Sequence, residues 1–366
     1  MPPRRFQNVL ETRRVTLKEL ASHLGLSITT VSRALAGYDD VSAATRRRVV
    51  EAARRLGYRP DPLGQRLRKG RTEAVGLVIP TPPGHCGDPF FLELAASLGE
   101  SLQAHGLDLL VTACAPGPSE LECYRRLVEG RRVDALVLAR TRRHDERIRY
   151  LASRGVPFVC HGRSELALSF PYLDVDGEQG FLEATRHLIR LGHRRIGLIN
   201  APPELNFSRF RARGYARALE EAGIAWDDAL VVTGALTEEG GYRAARELLA
   251  RPGRPTAVLC ANDWMAIGAM HAAREEGMQP GEDLAVIGYD DIPVARFTHP
   301  PLTTLRQPIR EAGRRLTEML VAFMAGTPAE ALQEVWVPEL VVRGSDGPPR
   351  APAADRGAAK TAMGGE

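Results

Sequence analysis

One short segment carries the side chains best suited to reading a polar surface. Ser27, Ile28, Thr29, Ser32 and Arg33 fall within a few residues of one another, and a run of Arg46, Arg47 and Arg48 follows. At helical spacing the first set can share an outward face. Short hydroxyl and methyl groups let a helix lie deep in a major groove, and the single Arg33 guanidinium can donate two hydrogen bonds to the edge of a guanine. Three adjacent arginines suit phosphate oxygens, which supply affinity and salt dependence but carry no sequence information. The chemistry implied is contact with duplex DNA.

Three short helices must position these groups. "TLKELASHLG" places Leu17, Leu20, Ala21 and Leu24 on one face, and Gly25 ends it in a tight turn. Ser27 is an N-cap for "SITTVSRAL", where Val31, Ala34 and Leu35 face inward. Ser42 caps "AATRRRVVEAARRLG", with Val49, Ala52, Ala53 and Leu56 inward and Gly57 closing. Two helices about a glycine turn, supported by a third, make a helix-turn-helix. The apolar stripe builds a miniature core and the hydroxyl-plus-arginine face is left for DNA.

The charge distribution agrees. Residues 1–72 hold 16 Lys and Arg against 6 Asp and Glu, whereas residues 73–366 hold 33 against 39. A basic head on a mildly acidic body implies a polyanion partner for the head alone. At 366 residues and 44% hydrophobic content the chain is long enough for two or three domains. It contains no apolar run of about eighteen residues, so no membrane span is expected. The stretch "MPPRRFQNVLETRRV" lacks the apolar core of a secretory leader, which implies a cytoplasmic protein. The five cysteines (Cys86, Cys114, Cys123, Cys160 and Cys260) form no C-x-x-C pair and read as small hydrophobes in a reducing compartment, with no metal and no cofactor expected.

From Val75 onward, β-rich runs alternate with amphipathic segments: "VGLVI", "LDLLV", "ALVL" and "PFVC", then "RRIGLIN", "TAVLCAN" and "LAVIGYD". The pattern predicts two α/β halves with parallel sheets, and ligands in such sheets lie at the carboxyl ends of the strands. No G-x-G-x-x-G or P-loop is present, so dinucleotide and nucleotide-triphosphate readings have no support.

"TLKELASHLGLSITTVSRALAG" followed by "VSAATRRRVVEAARRLGYRP" resembles the DNA-binding head of the lactose/galactose repressor family of bacterial regulators. The body resembles the family's effector domain, which shares its fold with periplasmic sugar-binding proteins. The landmarks are "DPFFLEL", "HRRIGLIN", "FRARGYARAL", "PTAVLCANDWMAIGAM", "LAVIGYDD" and "PPLTTLRQP". The resemblance implies an all-α helix-turn-helix head at residues 16–59 behind an extension at 1–15. A hinge at 60–72 would follow. Two doubly wound parallel-sheet subdomains would span 73–344, before a disordered Pro/Ala/Gly-rich tail at 345–366.

It also implies residue roles. DNA would be met by Thr16, Ser27, Ile28, Thr29, Thr30, Ser32, Arg33, Arg46, Leu67 and Arg68. In the hinge "RPDPLGQRLRKGRT", Asp61 and Pro62 would start a helix and Leu67 would wedge into the minor groove, with Gly64 weakening the helix by about 1 kcal/mol. An effector cleft would be lined by Asp88, Phe90, Phe91, His161, Arg163, Asn206, Phe207, Arg211, Asn262, Trp264 and Asp290. Arg211, Asp290 and Asn262 would pair with sugar hydroxyls, and Phe91, Phe207 or Trp264 would cover an apolar ring face. Asp176 reads as a helix cap. Leu236 stands where a purine-binding member would place an aromatic ring. "HGRSELALSFPYLDVDGE" resembles members that answer to α-glucosides. The family works as homodimers, sometimes tetramers, on near-palindromic operators.

Three functions are open at this point: a regulator answering to a sugar or to another metabolite, a sugar-binding protein without a DNA-dependent role, and an enzyme using the cleft. For the last, His161 and Asp290 are the one acid/base pair on offer, and no nucleophile elbow accompanies them. The first is the expected function.

Overall fold

The computed structural model describes residues 15–58, 71–81 and 87–350. The expected extension (all but its last residue), Leu67, Arg68 and nearly all of the hinge, Cys86, and the chain beyond residue 350 lie outside these. The chain divides into two compact units between Thr72 and Glu73.

The first unit contains α1 (Leu17–Leu24), α2 (Ile28–Leu35) and α3 (Ala43–Arg55). Each begins at a hydroxyl side chain. Thr16 and Glu19 form a reciprocal capping box, Ser27 accepts from the Thr30 amide, and Ser42 accepts from the Thr45 amide. Gly25 ends α1 at φ +64°, a conformation that a side chain disfavours. Leu20, Val31 and Val49 are wholly buried with Ala21, Ala34, Ala52 and Ala53 around them. Full burial of each large aliphatic side chain stabilises so small a unit by roughly 1.5–3 kcal/mol.

The second unit holds two six-stranded sheets. The first has the order β11-β5-β4-β3-β1-β2, built from β1 (Ala74–Pro80), β2 (Asp108–Cys114), β3 (Ala135–Leu138), β4 (Phe158–His161), β5 (Tyr172–Val175) and β11 (Gln333–Trp336). The second has the order β12-β10-β9-β8-β6-β7, built from β6 (Ile196–Asn200), β7 (Val231–Thr233), β8 (Ala257–Cys260), β9 (Ala285–Asp290), β10 (Thr303–Arg306) and β12 (Glu339–Val341). All pairings are parallel except β10 with β12. Helices cover both sheets: α4 (Pro89–Gln103), α5 (Pro118–Glu129), α6 (Glu146–Ser153) and α11 (Ile309–Met324) belong to the first half. The helices α7 (Gly177–Arg190), α8 (Asn206–Glu221), α9 (Glu238–Ala250) and α10 (Asp263–Glu275) belong to the second.

The chain crosses between halves three times: from β5 to α7, from β10 to α11, and from β11 to β12. Helix α11 returns to the first half, where Ile309, Ala312, Leu316, Met319 and Leu320 pack with Leu94, Leu98 and Leu102 of α4. In the second half α7 and α8 pack closely at Gly214, where a Cβ would stand 2.0 Å from the Glu178 carbonyl oxygen.

The expected tail from 345 is corrected at its start. Ser345 and Asp346 are buried, with side chains 0% and 6% exposed. Ser345 Oγ donates to the Val286 carbonyl and accepts from the Thr303 amide, and Asp346 accepts from Thr303 Oγ1 at 2.6 Å. The segment is polar in composition but closes the β9–β10 edge through hydrogen bonds, which composition does not reveal. Cys123, Cys160 and Cys260 are buried and Cys114 half-buried, all as free thiols. Among the described residues no helix is long and apolar enough to cross a membrane.

Candidate functional site

On the head, the structure exposes the face that the sequence assigns to DNA. Thr16, Ser27, Ile28, Thr29 and Arg33 are exposed, with Ile28 at 48%, whereas Thr30 and Ser32 are half-buried. An exposed isoleucine beside hydroxyl groups has no packing purpose in this unit. Arg33 lies 2.6 Å from the Asp40 carboxylate and 5.3 Å from the Tyr38 ring. Arg46 is turned partly inward, donating to the Tyr38 carbonyl at 2.7 Å, so it braces the turn after α2. Arg47 and Arg48 are exposed.

In the second unit the carboxyl ends of strands from both sheets converge on one cleft. Asp88, Phe90, His161, Arg163, Phe207, Arg211, Asn262 and Asp290 all line it. Three residues expected there do not. Phe91 is 1% exposed and packs into the first-half core, because it stands about 100° around α4 from Phe90, which reaches both that core and the cleft. Trp264, in the first turn of α10, packs against the second-half core. Asn206 ties the halves together: its amide donates to the Thr141 carbonyl at 2.9 Å and its side-chain nitrogen to the Arg163 carbonyl at 2.8 Å. Arg142 and Leu205 form an antiparallel bridge alongside, so one edge of the cleft is closed by main chain.

Several wall residues escaped the sequence reading: Arg140, Thr141, Asp174, Phe210, Tyr289 and Gln307. Arg140 has φ +49°, and the loop that carries it is held from below. Arg147, 1% exposed, donates to the Arg140 carbonyl at 3.0 Å, while Asp145 accepts from Arg147 and from the Arg142 amide. Glu120 completes the buried cluster by pairing with Arg142 and Arg147. Each charge there has a partner, as burial requires.

Helix caps supply part of the wall. Asp88 caps α4, accepting from the Phe90 amide at 3.1 Å, and also pairs with Arg140. Asn262 caps α10 by accepting from the Met265 amide. Asp176 caps α7 and is not in the wall, as its reading as a cap implied.

The electrostatics of the cleft are nearly self-cancelling. Arg140 is paired with Asp88, and Arg163 meets Asp174 at 2.5 Å. The Arg211 guanidinium carbon lies 3.7 Å from the Tyr289 ring centroid and 4.3 Å from that of Phe207, and it donates to the Ala261 carbonyl. Asp290 accepts from Gln307 Nε2 at 2.5 Å. Burial pushes the Asp290 carboxyl well above the usual carboxylate range, with the Arg211 charge opposing. Burial likewise holds His161 down to about 4, helped by the nearby Arg211 charge, so the ring is neutral at pH 7. Arg211 Nε and His161 Nε2 are buried without a hydrogen-bond partner among the described residues. Unsatisfied polar atoms in an aromatic-walled cleft are suited to a polar ligand. Among the described residues no cluster of His, Cys, Asp and Glu is placed to hold a metal ion.

Comparison with known proteins places both units. Residues 16–61 match the model for bacterial regulatory proteins of the lacI family, and residues 185–345 match that for a periplasmic binding protein-like domain. The chain is 44% identical over 338 residues to the HTH-type transcriptional regulator AglR of Rhizobium meliloti (strain 1021), covering 91% of this chain and 95% of that one. Among solved structures it resembles a transcriptional regulator CelR–cellobiose complex, with 34% identity, TM-score 0.70, and coverage of 91% of this chain and 100% of that chain. It also resembles a lac repressor dimer bound to operator and the anti-inducer ONPF, with 25% identity, TM-score 0.78, and coverage of 92% and 100%. With its helix-turn-helix head and its two-sheet body, the chain belongs to the lacI family of bacterial regulatory proteins and is a DNA-binding transcriptional regulator.

Proposed function

We propose that this regulator is a repressor whose operator affinity is set by a small, uncharged sugar bound in the cleft of the second unit. The observation that carries the reading is the wall itself. Arg211, Asp290 and Asn262 offer planar donors and acceptors to hydroxyl groups, while Phe90, Phe207 and Phe210 supply apolar rings for the C–H side of a pyranose. Arg140 and Arg163 are neutralised by Asp88 and Asp174, which leaves Arg211 as the wall's one arginine without a carboxylate ion pair among the described residues, with the Asp290 carboxyl lining the same cleft. A flat purine is disfavoured by Leu236, a branched aliphatic side chain in the wall. The cellobiose held by the CelR relative supports the ligand class.

The head would read a near-palindromic operator as one of a pair, since two heads on a homodimer fix the half-site spacing. Effector binding would change the relation of the two α/β halves and so the spacing of the two hinges. Sugar and DNA then bias one two-state element, and their coupling is reciprocal. A coupling of about 1–3 kcal/mol corresponds to roughly a 5- to 150-fold change in operator affinity.

The test is fluorescence anisotropy on an operator duplex selected from a random library, titrated with maltose, trehalose, sucrose, raffinose and cellobiose. At least one should shift affinity within that range, and Arg211→Ala should remove the shift while leaving sugar-free operator binding intact. An unchanged response in Arg211→Ala would exclude Arg211 as an effector contact. Absence of any response to the panel would exclude the sugar reading.

A further inference from the structure

Two consecutive residues at the end of β9 have backbone conformations that L-amino acids seldom adopt. Asp290 has φ +117° and Asp291 φ +57°, and neither is a glycine. Such geometry persists only where the surroundings over-determine it. Asp290 is in the cleft wall and Asp291 is not. Turning the backbone at these two residues decides where the Asp290 carboxylate goes.

The surroundings that impose it are concentrated on Asp291. Its side chain is 2% exposed and meets Arg306 Nε at 2.7 Å, the Arg343 guanidinium, and Arg296 at 3.8 Å. Arg306 stands directly opposite Asp290 in the β9–β10 register. Arg343 comes from the segment after β12, where its amide donates to Thr303 Oγ1 and its side chain to the Leu302 carbonyl. That segment is itself stitched to β9, the Val286 amide donating to the Ser345 carbonyl at 2.6 Å. The clamp therefore joins β9, β10 and the C-terminal segment at one buried carboxylate.

We propose that Asp291, held by Arg306 and Arg343, is a positioning residue for effector recognition: it forces the left-handed turn that delivers the Asp290 carboxylate to Gln307 and the cleft. The proposal deepens the reading of that cleft as the effector site and rests on it. It makes Arg343, outside the cleft wall, a determinant of effector affinity. The ligand would meet a carboxylate whose ordering cost has already been met by the fold.

Ligand-free crystal structures of full-length Asp291→Asn and Arg343→Met test the clamp without any ligand. Residue 290 should relax to negative φ and its hydrogen bond to Gln307 should be lost, with both sheets otherwise intact. Retention of the native Asp290 geometry in the variants overturns the proposal. Arg343→Met addresses the same contact should Asp291→Asn fail to fold. Calorimetric titration of maltose and trehalose supplies the second arm. Both variants should bind at least about tenfold more weakly, the loss expected for a misplaced charged hydrogen-bond partner, and Arg343→Lys should restore most of the affinity. Equal affinity in Arg343→Met and the parent protein overturns the functional half of the proposal. Failure of the parent to bind either disaccharide counts against the α-glucoside expectation, while the crystal structures still decide the clamp.

Discussion

The Arg33 guanidinium lies 2.6 Å from the Asp40 carboxylate, although Arg33 is the long side chain on the outward face of α2. Both side chains are about half exposed, at 47% and 49%. A surface pair of this kind contributes roughly 0–1 kcal/mol. Reading a base therefore requires Arg33 to give up a weak partner. Asp40→Asn is expected to raise operator affinity by up to about fivefold, through release of Arg33 and removal of a negative charge near the phosphates. Anisotropy at two salt concentrations checks it, the gain being larger at low salt. A fall in affinity would mean that Asp40 orients Arg33 for its DNA contact.

Arg33→Ala should weaken specific binding by about 1–3 kcal/mol and leave binding to random duplex almost unchanged. The reason is its single long donor fork beside the exposed Ile28 and Thr29. Parallel titrations on selected and scrambled duplexes separate the two terms. Equal losses on both would assign Arg33 to phosphate instead.

Asp88→Asn should alter which ligands the cleft accepts. Asn is as good an N-cap as Asp, so α4 should keep its start. Arg140 would lose its neutralising partner and become available to an anion. Affinity for maltose 6′-phosphate relative to maltose should rise by about tenfold, the scale of one charged hydrogen bond. An unchanged ratio in calorimetry would remove the charge-pairing argument for an uncharged effector.

Acid should expose the cost of burying His161. Its folded-state pKa of about 4 is depressed below the ordinary 6.5, so its contribution to stability is present above pH 6.5 and is lost as pH falls through 4. At 1.36 kcal/mol per pH unit the full effect is on the order of 3 kcal/mol. Asp263 acts with the opposite sign. Burial raises it to about 6, so its favourable contribution is present below the ordinary carboxylate pKa and is lost as pH rises through 6. Urea unfolding at pH 7, 5.5 and 4 should show His161→Gln losing less stability on acidification than the parent. Identical pH slopes would place the His161 titration elsewhere.

The head was almost wholly legible because its signals are local. Ser27, Ser42 and Gly25 are caps and a turn whose chemistry acts within three or four residues. The cleft was legible only where a motif stood close to a strand end, as with Asp290 and Asn262. Arg140, Tyr289 and Gln307 were not, because their direction depends on sheet register, a buried cation under a loop, and neighbours brought in from far along the chain. Phe91 was read as lining the cleft together with Phe90, but its place about 100° further around α4 puts it in the core. Strands β5, β7, β10, β11 and β12 are three or four residues long, and the buried pair Thr303 and Thr304 gives β10 no apolar alternation. Ser345 and Asp346 read as tail because their partners, Val286, Thr303 and His187, are far away in sequence.

The triple crossing between halves has a consequence for synthesis on the ribosome. The first half contains residues from Ala74 to Val175 and then α11 and β11, which end at Trp336. Its nascent core lacks the face that packs against α4 until about 150 further residues, from Val175 to Met324, have been translated. At roughly 5–20 residues per second that interval is about 7–30 s. For that time Leu94, Leu98 and Leu102 have no α11 to cover them, so a holding chaperone has a defined target on the emerging chain. Any truncation before residue 336 leaves both halves incomplete, and a nonsense mutation late in the gene should yield an aggregating fragment in place of a smaller working regulator.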